Sequence, residues 1–193
     1  LLFLPFVTAD YIRITGDLTI LDMETHYLED EPLKGEEESR YNIPKLSEEK
    51  ESIYDHCIRA IEKSLAFGRH GLPLIGTGDW NDGMDSVGDE GKGESVWLGW
   101  FLYTVLTSFI PICKARNDNE RAERYAEVAE RLKNSIEEHG WDGGWYRRAY
   151  FDDGTPLGSE ENDECRIDSI SQSWAVISGA GKESRVKEAM LAL

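Results

Sequence analysis

Apolar and polar positions along the chain fall into two kinds of segment that alternate. Leu1 to Thr15 is apolar around most of a helical surface and is stopped by Gly16-Asp17. Ser47 to Phe67 is one-faced: Ile53, Cys57, Ile58, Ile61 and Leu65 recur at helical spacing, with Glu49, Glu51, Arg59, Glu62 and Lys63 between them. Ser47 is its expected N-cap and Gly68 its stop. Val96 to Cys113 contains no charge at all. Asn119 to His139 again carries a single stripe, Tyr125, Val128, Ala129, Leu132 and Ile136, and Gly140 ends it. Asn117 with Glu120 resembles a capping box before it. Ile170 to Ser178, started by Ser169-x-x-Gln172, is mostly apolar, and Lys182 to Leu193 is amphipathic.

The rest is shorter or irregular. Leu18 to Tyr27 predicts a brief helical turn, and "LEDEPLKGEEESR" reads as a solvated surface loop. "GGWYRRAYFDDGTPLGS" predicts a β-hairpin turning at Asp153-Gly154.

A helix apolar on every side followed by a one-faced helix, three times over, suits two concentric layers. Inner helices touch neighbours all round, and outer helices face water. Closing such a ring takes roughly twice the helices present, so the expectation is an all-α chain forming about half of a helical toroid, with a small β-hairpin inserted. The inner helices would then need covering, by a second copy or by the remainder of a larger polypeptide. The outer-to-inner connections, His70–Glu94 and Trp141–Asp168, would share one face of the ring, where a site can be built.

Composition narrows the partners. A formal charge of −17 over 193 residues argues against nucleic acid and anionic membrane surfaces. Cys57, Cys113 and Cys165 are widely spaced and lack any C-x-x-C, which fits buried thiols in a reducing, cytoplasmic setting rather than a zinc site. The long apolar run Val96–Cys113 has the length of a membrane span, but Gly99, Thr104, Thr107, Ser108 and Pro111 favour a buried core helix. Trp97, Trp100 and Phe101 belong to that core. The apolar start has no basic flank and is not a signal peptide; a first residue of Leu hints at a fragment.

Chemistry concentrates in "GTGDWNDGMDSVGDEGKGES", Gly76 to Ser95. A glycosidic oxygen leaves poorly until it is protonated, so cleavage needs a carboxylic acid held protonated by burial or by a neighbouring carboxylate. Asp79 and Asp82 stand close enough in sequence to do this for one another. Trp80 offers a flat apolar face to a pyranose, and Asn81 offers hydrogen bonds to hydroxyls. A rival reading is calcium, since Asp79-x-Asn81 with Glu90 echoes an EF-hand loop, but Met84 stands where that loop needs Gly. "VGDEGKGES" lacks the P-loop order and reads as a flexible lid or as the entry to the buried helix. Arg147 and Arg148 read as solvated, Trp141, Trp145 and Tyr146 as a local hairpin core, and Gln172 and Trp174 as structural.

"GLPLIGTGDWNDGMDSVGDEGKGESVWLGWFL" and "WDGGWYRRAYFDDGTPLGSEENDECRIDSISQSWAVISGAG" resemble the inverting disaccharide and oligosaccharide phosphorylases that include cellobiose and chitobiose phosphorylases. The likeness is greatest to the phosphorylase-like domain of cyclic β-1,2-glucan synthases and to 1,2-β-oligoglucan phosphorylases, and it spans essentially residues 1–193. It implies an (α/α)6 toroid, of which this chain is a part. It implies that inorganic phosphate, a co-substrate and not a cofactor, attacks the anomeric carbon of a β-glucan oligosaccharide with inversion. Asp82 matches the proton donor and Trp80 the sugar-contacting tryptophan, while Asp79 supports Asp82 or binds a hydroxyl. The family's sugar-binding Arg/Asp pair lies upstream of the matched stretch and its phosphate-binding residues downstream. The expectation is therefore weak sugar binding and no turnover by these 193 residues alone. Two alternatives stand beside it: an inverting hydrolase with water activated by a carboxylate such as Asp79, and a non-catalytic remnant that binds glycans or serves assembly.

Overall fold

The computed structural model describes residues 1–31 and 40–193, apart from the side chain of Asp82. The chain forms two compact units, Leu1–Lys63 and Ser64–Leu193. Most of the segment expected as a solvated loop, "LEDEPLKGEEESR", lies outside the described residues.

In the first unit, α1 spans Phe3–Thr15 and ends at Gly16, whose N–H caps Ile12 O. A 3-10 turn, Thr19–Asp22, follows it. Where a longer helical turn was expected, β1 (Glu24–Glu29) pairs antiparallel with β2 (Lys45–Ser52). The second half of that pair overturns the expected start of the next helix at Ser47. Glu48 to Glu51 are good helix formers by themselves. Pairing with β1 overrides that preference: Lys50 Nζ bridges Glu24 at 2.7 Å and Ser47 Oγ donates to Glu29. The helix proper, α2, is Ile53–Lys63, and Ser52 Oγ accepts the Asp55 N–H at 3.2 Å. Tyr54, Cys57, Ile58 and Ile61 form its buried face.

The second unit is built on α3, Val96–Ala115, which packs against α4 (Asn119–Ser135) and α5 (Ser169–Ile177). Trp97, Trp100, Phe101, Leu102, Val105, Leu106 and Phe109 are all buried. By length and composition α3 is the one helix among the described residues that could cross a membrane, and 61% of its most apolar stretch is buried within the protein. The expected charge-free core helix is present. Asn117 adopts a left-handed φ of 61° in the turn, so the cap of α4 is Asp118, which accepts the Arg121 N–H at 3.3 Å. A π turn, Ile136–Gly140, prolongs α4 to the predicted glycine stop. The last helix, α6, covers Glu183–Leu191.

The hairpin turns as its sequence predicts, with β4 (Ala149–Tyr150) pairing β5 (Pro156–Leu157), but it gains a third strand. β3 (Glu94–Ser95), immediately before α3, pairs antiparallel with β4. The two long connections of this unit therefore meet: His70–Glu94 and Trp141–Asp168 are joined by a small sheet beside the N-terminus of α3. An all-α expectation with one hairpin is thus corrected to a helical chain with a two-stranded and a three-stranded sheet.

Candidate functional site

The Asp79 loop is fixed from several directions. Its carboxylate meets the Arg148 guanidinium in a forked ion pair: Nη2 donates to Oδ1 at 2.7 Å, and Nη1 lies 2.7 Å from Oδ2. Ser95 Oγ donates to Asp79 Oδ2 at 2.8 Å. The same Ser95 Oγ accepts from Arg148 Nη1 at 3.1 Å and from the Leu98 N–H at 3.0 Å, so it also caps α3. Arg148 Nε lies 3.1 Å from Asp168 Oδ2, and Asp168 Oδ1 accepts the Ile170 N–H that starts α5. Arg148 is 2% exposed and the Asp79 side chain 0%. A charge so deeply buried persists only when it is paired and hydrogen-bonded, as here.

This corrects the reading of Arg147 and Arg148 as solvated. Arg147 is also engaged, with Nη2 at 2.5 Å from Asp142 Oδ1 and Nη1 donating to His139 O and Trp141 O. Asp79 is enclosed on both oxygens, an arrangement suited to support rather than to an open face.

From Asp79 the order passes along the backbone. Asp79 Oδ1 accepts the Asn81 N–H at 3.2 Å, and Asn81 Oδ1 accepts the Gly83 N–H at 3.0 Å. Asn81 thereby caps the 3-10 turn Asp82–Val87. Asp82 opens that turn; its side chain is the undescribed one, so the proton-donor role rests on sequence. Met84, in the same turn, packs on Ile75, Val87 and Ala149.

Trp80 is 56% exposed, and its ring meets Trp97 edge-on at 6.5 Å. Trp97 in turn stacks on Phe101 and meets Trp174 edge-on. An accessible indole thus borders a buried aromatic group. The other aromatics of the hairpin pack locally: Tyr146 is buried against Trp100 and Trp141, and Trp145 Nε1 donates to Gly158 O and Arg166 O. Gln172 brackets Tyr146, accepting its N–H at 2.8 Å and donating to its O at 2.7 Å.

The glycine-rich second half of the loop is not free. Asp152, just after β4, accepts the N–H groups of Glu90, Lys92 and Gly93 at 2.9, 2.7 and 2.7 Å. Burial alone would raise its pKa, but these donors prevail and hold it below the ordinary carboxylate value. The expected lid is a pinned entry to α3. Glu90, the twelfth position of the calcium reading, bridges Lys92 at 2.9 Å, and no group of three metal-ligating side chains occurs among the described residues.

Residues 2–193 match the model of the glycosyl hydrolase 94 superfamily, catalytic domain. The chain belongs to that family. It is 45% identical over 188 residues to cyclic beta-(1,2)-glucan synthase NdvB of Rhizobium meliloti (strain 1021), covering 97% of this chain and 7% of that protein. It is 37% identical over 150 residues to the 3-O-beta-D-glucopyranosyl-beta-D-glucuronide phosphorylase of Paenibacillus borealis, covering 77% of this chain and 20% of the relative. With solabiose phosphorylase from the same organism, identity is 36% over 191 residues, covering 98% and 22%. The chain thus spans 7% to 22% of the length of these relatives.

Sequence reasoning found the loop and missed its clamp. The available signal was spacing: Arg148 alternates with Tyr146 and Tyr150, two aromatics, along a predicted hairpin strand.

Proposed function

We propose that the chain is the acid-bearing part of an (α/α)6 toroid, residues 1–193 forming about half of the ring. It acts in inverting phosphorolysis or glycosyl transfer on a β-linked glucan. The observation that carries this reading is the clamped Asp-Trp-Asn-Asp loop, with Trp80 accessible and the backbone on both sides of Asp82 held by hydrogen bonds.

In this reading a phosphate oxygen bonds to the anomeric carbon as the glycosidic C–O bond breaks. Asp82 passes its proton to the departing oxygen, and glucose 1-phosphate and a shortened glucan result. Trp80 stacks on the sugar, Asn81 orders the turn and offers its remaining amide to hydroxyls, and Asp79 positions the loop. Similarity to a cyclic β-(1,2)-glucan synthase supports a β-1,2 linkage. The wide spacing of Cys57, Cys113 and Cys165, with no C-x-x-C pair, supports a cytoplasmic setting. Exposed Phe3, Leu4, Val7 and Ile14 on α1 support covering of the inner helices by further chain or by a second copy.

The test is phosphate-dependent release of glucose 1-phosphate from linear β-1,2-glucan by the full-length protein that carries this segment. Asp82→Asn should lower turnover by about 10²–10⁴-fold while glucan binding persists. Undiminished turnover in that variant refutes the assignment. Cleavage without phosphate identifies a hydrolase instead. The 193 residues alone should bind glucan weakly and release no glucose 1-phosphate.

A further inference from the structure

We infer that Arg148 is a positioning residue for proton transfer. It sets the place of Asp82 through a continuous relay of hydrogen bonds, and this inference rests on the reading of Asp82 as the donor. The relay begins in the forked contact of Arg148 with Asp79. It continues from Asp79 Oδ1 to the Asn81 N–H and from Asn81 Oδ1 to the Gly83 N–H. The N–H groups of Asn81 and Gly83, the residues on either side of Asp82, are thereby tied to one buried cation.

Arg148 can do this because it joins three elements at once. Asp79 belongs to the loop, Ser95 is the first-turn cap of α3, and Asp168 is the cap of α5. The loop is thereby referred to two helix ends rather than to itself. A planar fork with donors in fixed directions is required for this, and a lysine ammonium supplies the charge without the fork. Arg148→Lys should thus keep the pair partly neutralised while the loop shifts. Displacement of a reacting group by about 1 Å costs about 10²-fold in rate.

Two donors with different leaving groups separate positioning from general damage. Cleaving the glucan needs a proton delivered to the leaving alcohol. With β-glucosyl fluoride and inorganic phosphate, the C–F bond breaks, a phosphate oxygen bonds to the anomeric carbon, and fluoride departs as an anion with far less need of an acid. In the full-length protein, Arg148→Lys should lower kcat on linear β-1,2-glucan by about 10²-fold with KM little changed, and lower the fluoride reaction by only a few-fold. Equal loss on both donors, or no loss on either, overturns the inference.

Should Arg148→Lys not fold, Asp168→Asn gives the same comparison, because Asn still caps α5 while one carboxylate leaves the guanidinium. It should show the same selectivity at several-fold magnitude, and equal losses again refute. Asp82→Asn distinguishes the two claims. If it shows selective loss and the Arg148 and Asp168 variants do not, only the positioning role fails. If Asp82→Asn is itself unselective, the donor assignment fails and the positioning role falls with it.

Discussion

The segment Gly76–Ser95 is held at two places by one hairpin, and the two anchors differ in kind. Ahead of β4, Arg148 holds the first half by binding a carboxylate away from water. After β4, Asp152 holds the second half by accepting three backbone N–H groups at a partly exposed position. A buried ion pair gives direction and little tolerance, since losing one partner strands the other charge. A carboxylate crowning a turn gives closure with more tolerance, because water can replace it.

The largest separation of the two should come from deleting each anchor. Arg148→Met leaves the Asp79 carboxylate buried without its cation and should lower unfolding free energy by about 3–5 kcal/mol in urea titrations. Adding Asp79→Leu should recover part of that loss, because the stranded charge is then gone. Full additivity of the two single losses would break the account of a coupled pair.

Asp152→Asn should cost only about 1 kcal/mol, and its cost should depend on pH. The native carboxyl has a lowered pKa, so its stabilisation is complete above the unfolded value of about 3.9 and is lost as pH falls through the native value. The Tm gap between wild type and Asp152→Asn should therefore narrow on acidification from pH 5 to pH 3. A gap that widens contradicts the sign.

Gly154 sharpens the comparison from the turn between β4 and β5. Its φ is +90°, and an added Cβ would fall 1.2 Å from Arg69 Nη2, the end of a flexible side chain. Gly154→Ala should cost about 1 kcal/mol from the backbone, with Arg69 swinging aside. Substitution of Trp80 gives the smallest change in stability. Because the ring is largely exposed, Trp80→Ala should move unfolding by less than about 0.5 kcal/mol while weakening glucan binding in the full-length protein. A large loss of stability there would mean that the indole is a core residue.

What could be read in the sequence depended on whether the pattern was local. α3 was legible because a charge-free run broken by Gly99, Thr104, Thr107, Ser108 and Pro111 favours a core helix over a membrane span, and α4 because its stripe and glycine stop lie within one helix. The hairpin was legible from Asp153-Gly154. β1 and β2 were not, because residues such as Glu48, Glu49 and Lys50 form a strand only when a partner strand supplies opposite charges and hydroxyls. At the site, Trp80 and the acids announced themselves by composition. Arg148 did not, since its partner Asp79 lies 69 positions away and adjacent arginines ordinarily face water. The caps show the same divide on a small scale: Asp118 and Asp168 displaced Asn117 and Ser169 by a single residue, a shift that backbone geometry decides.

Gly68 and Glu94 carry a last consequence. The buried Glu94 carboxylate accepts the N–H groups of His70 and Leu72, and a Cβ at position 68 would stand 2.5 Å from that carboxyl carbon. The space a side chain would need at 68 is filled by the acid of 94. Neither position can drift by itself: any larger residue at 68 evicts the carboxylate, and loss of the carboxylate orphans two amides. The two sites should change together or stay as they are in the lineage of this chain, a covariation written by volume and not by catalysis.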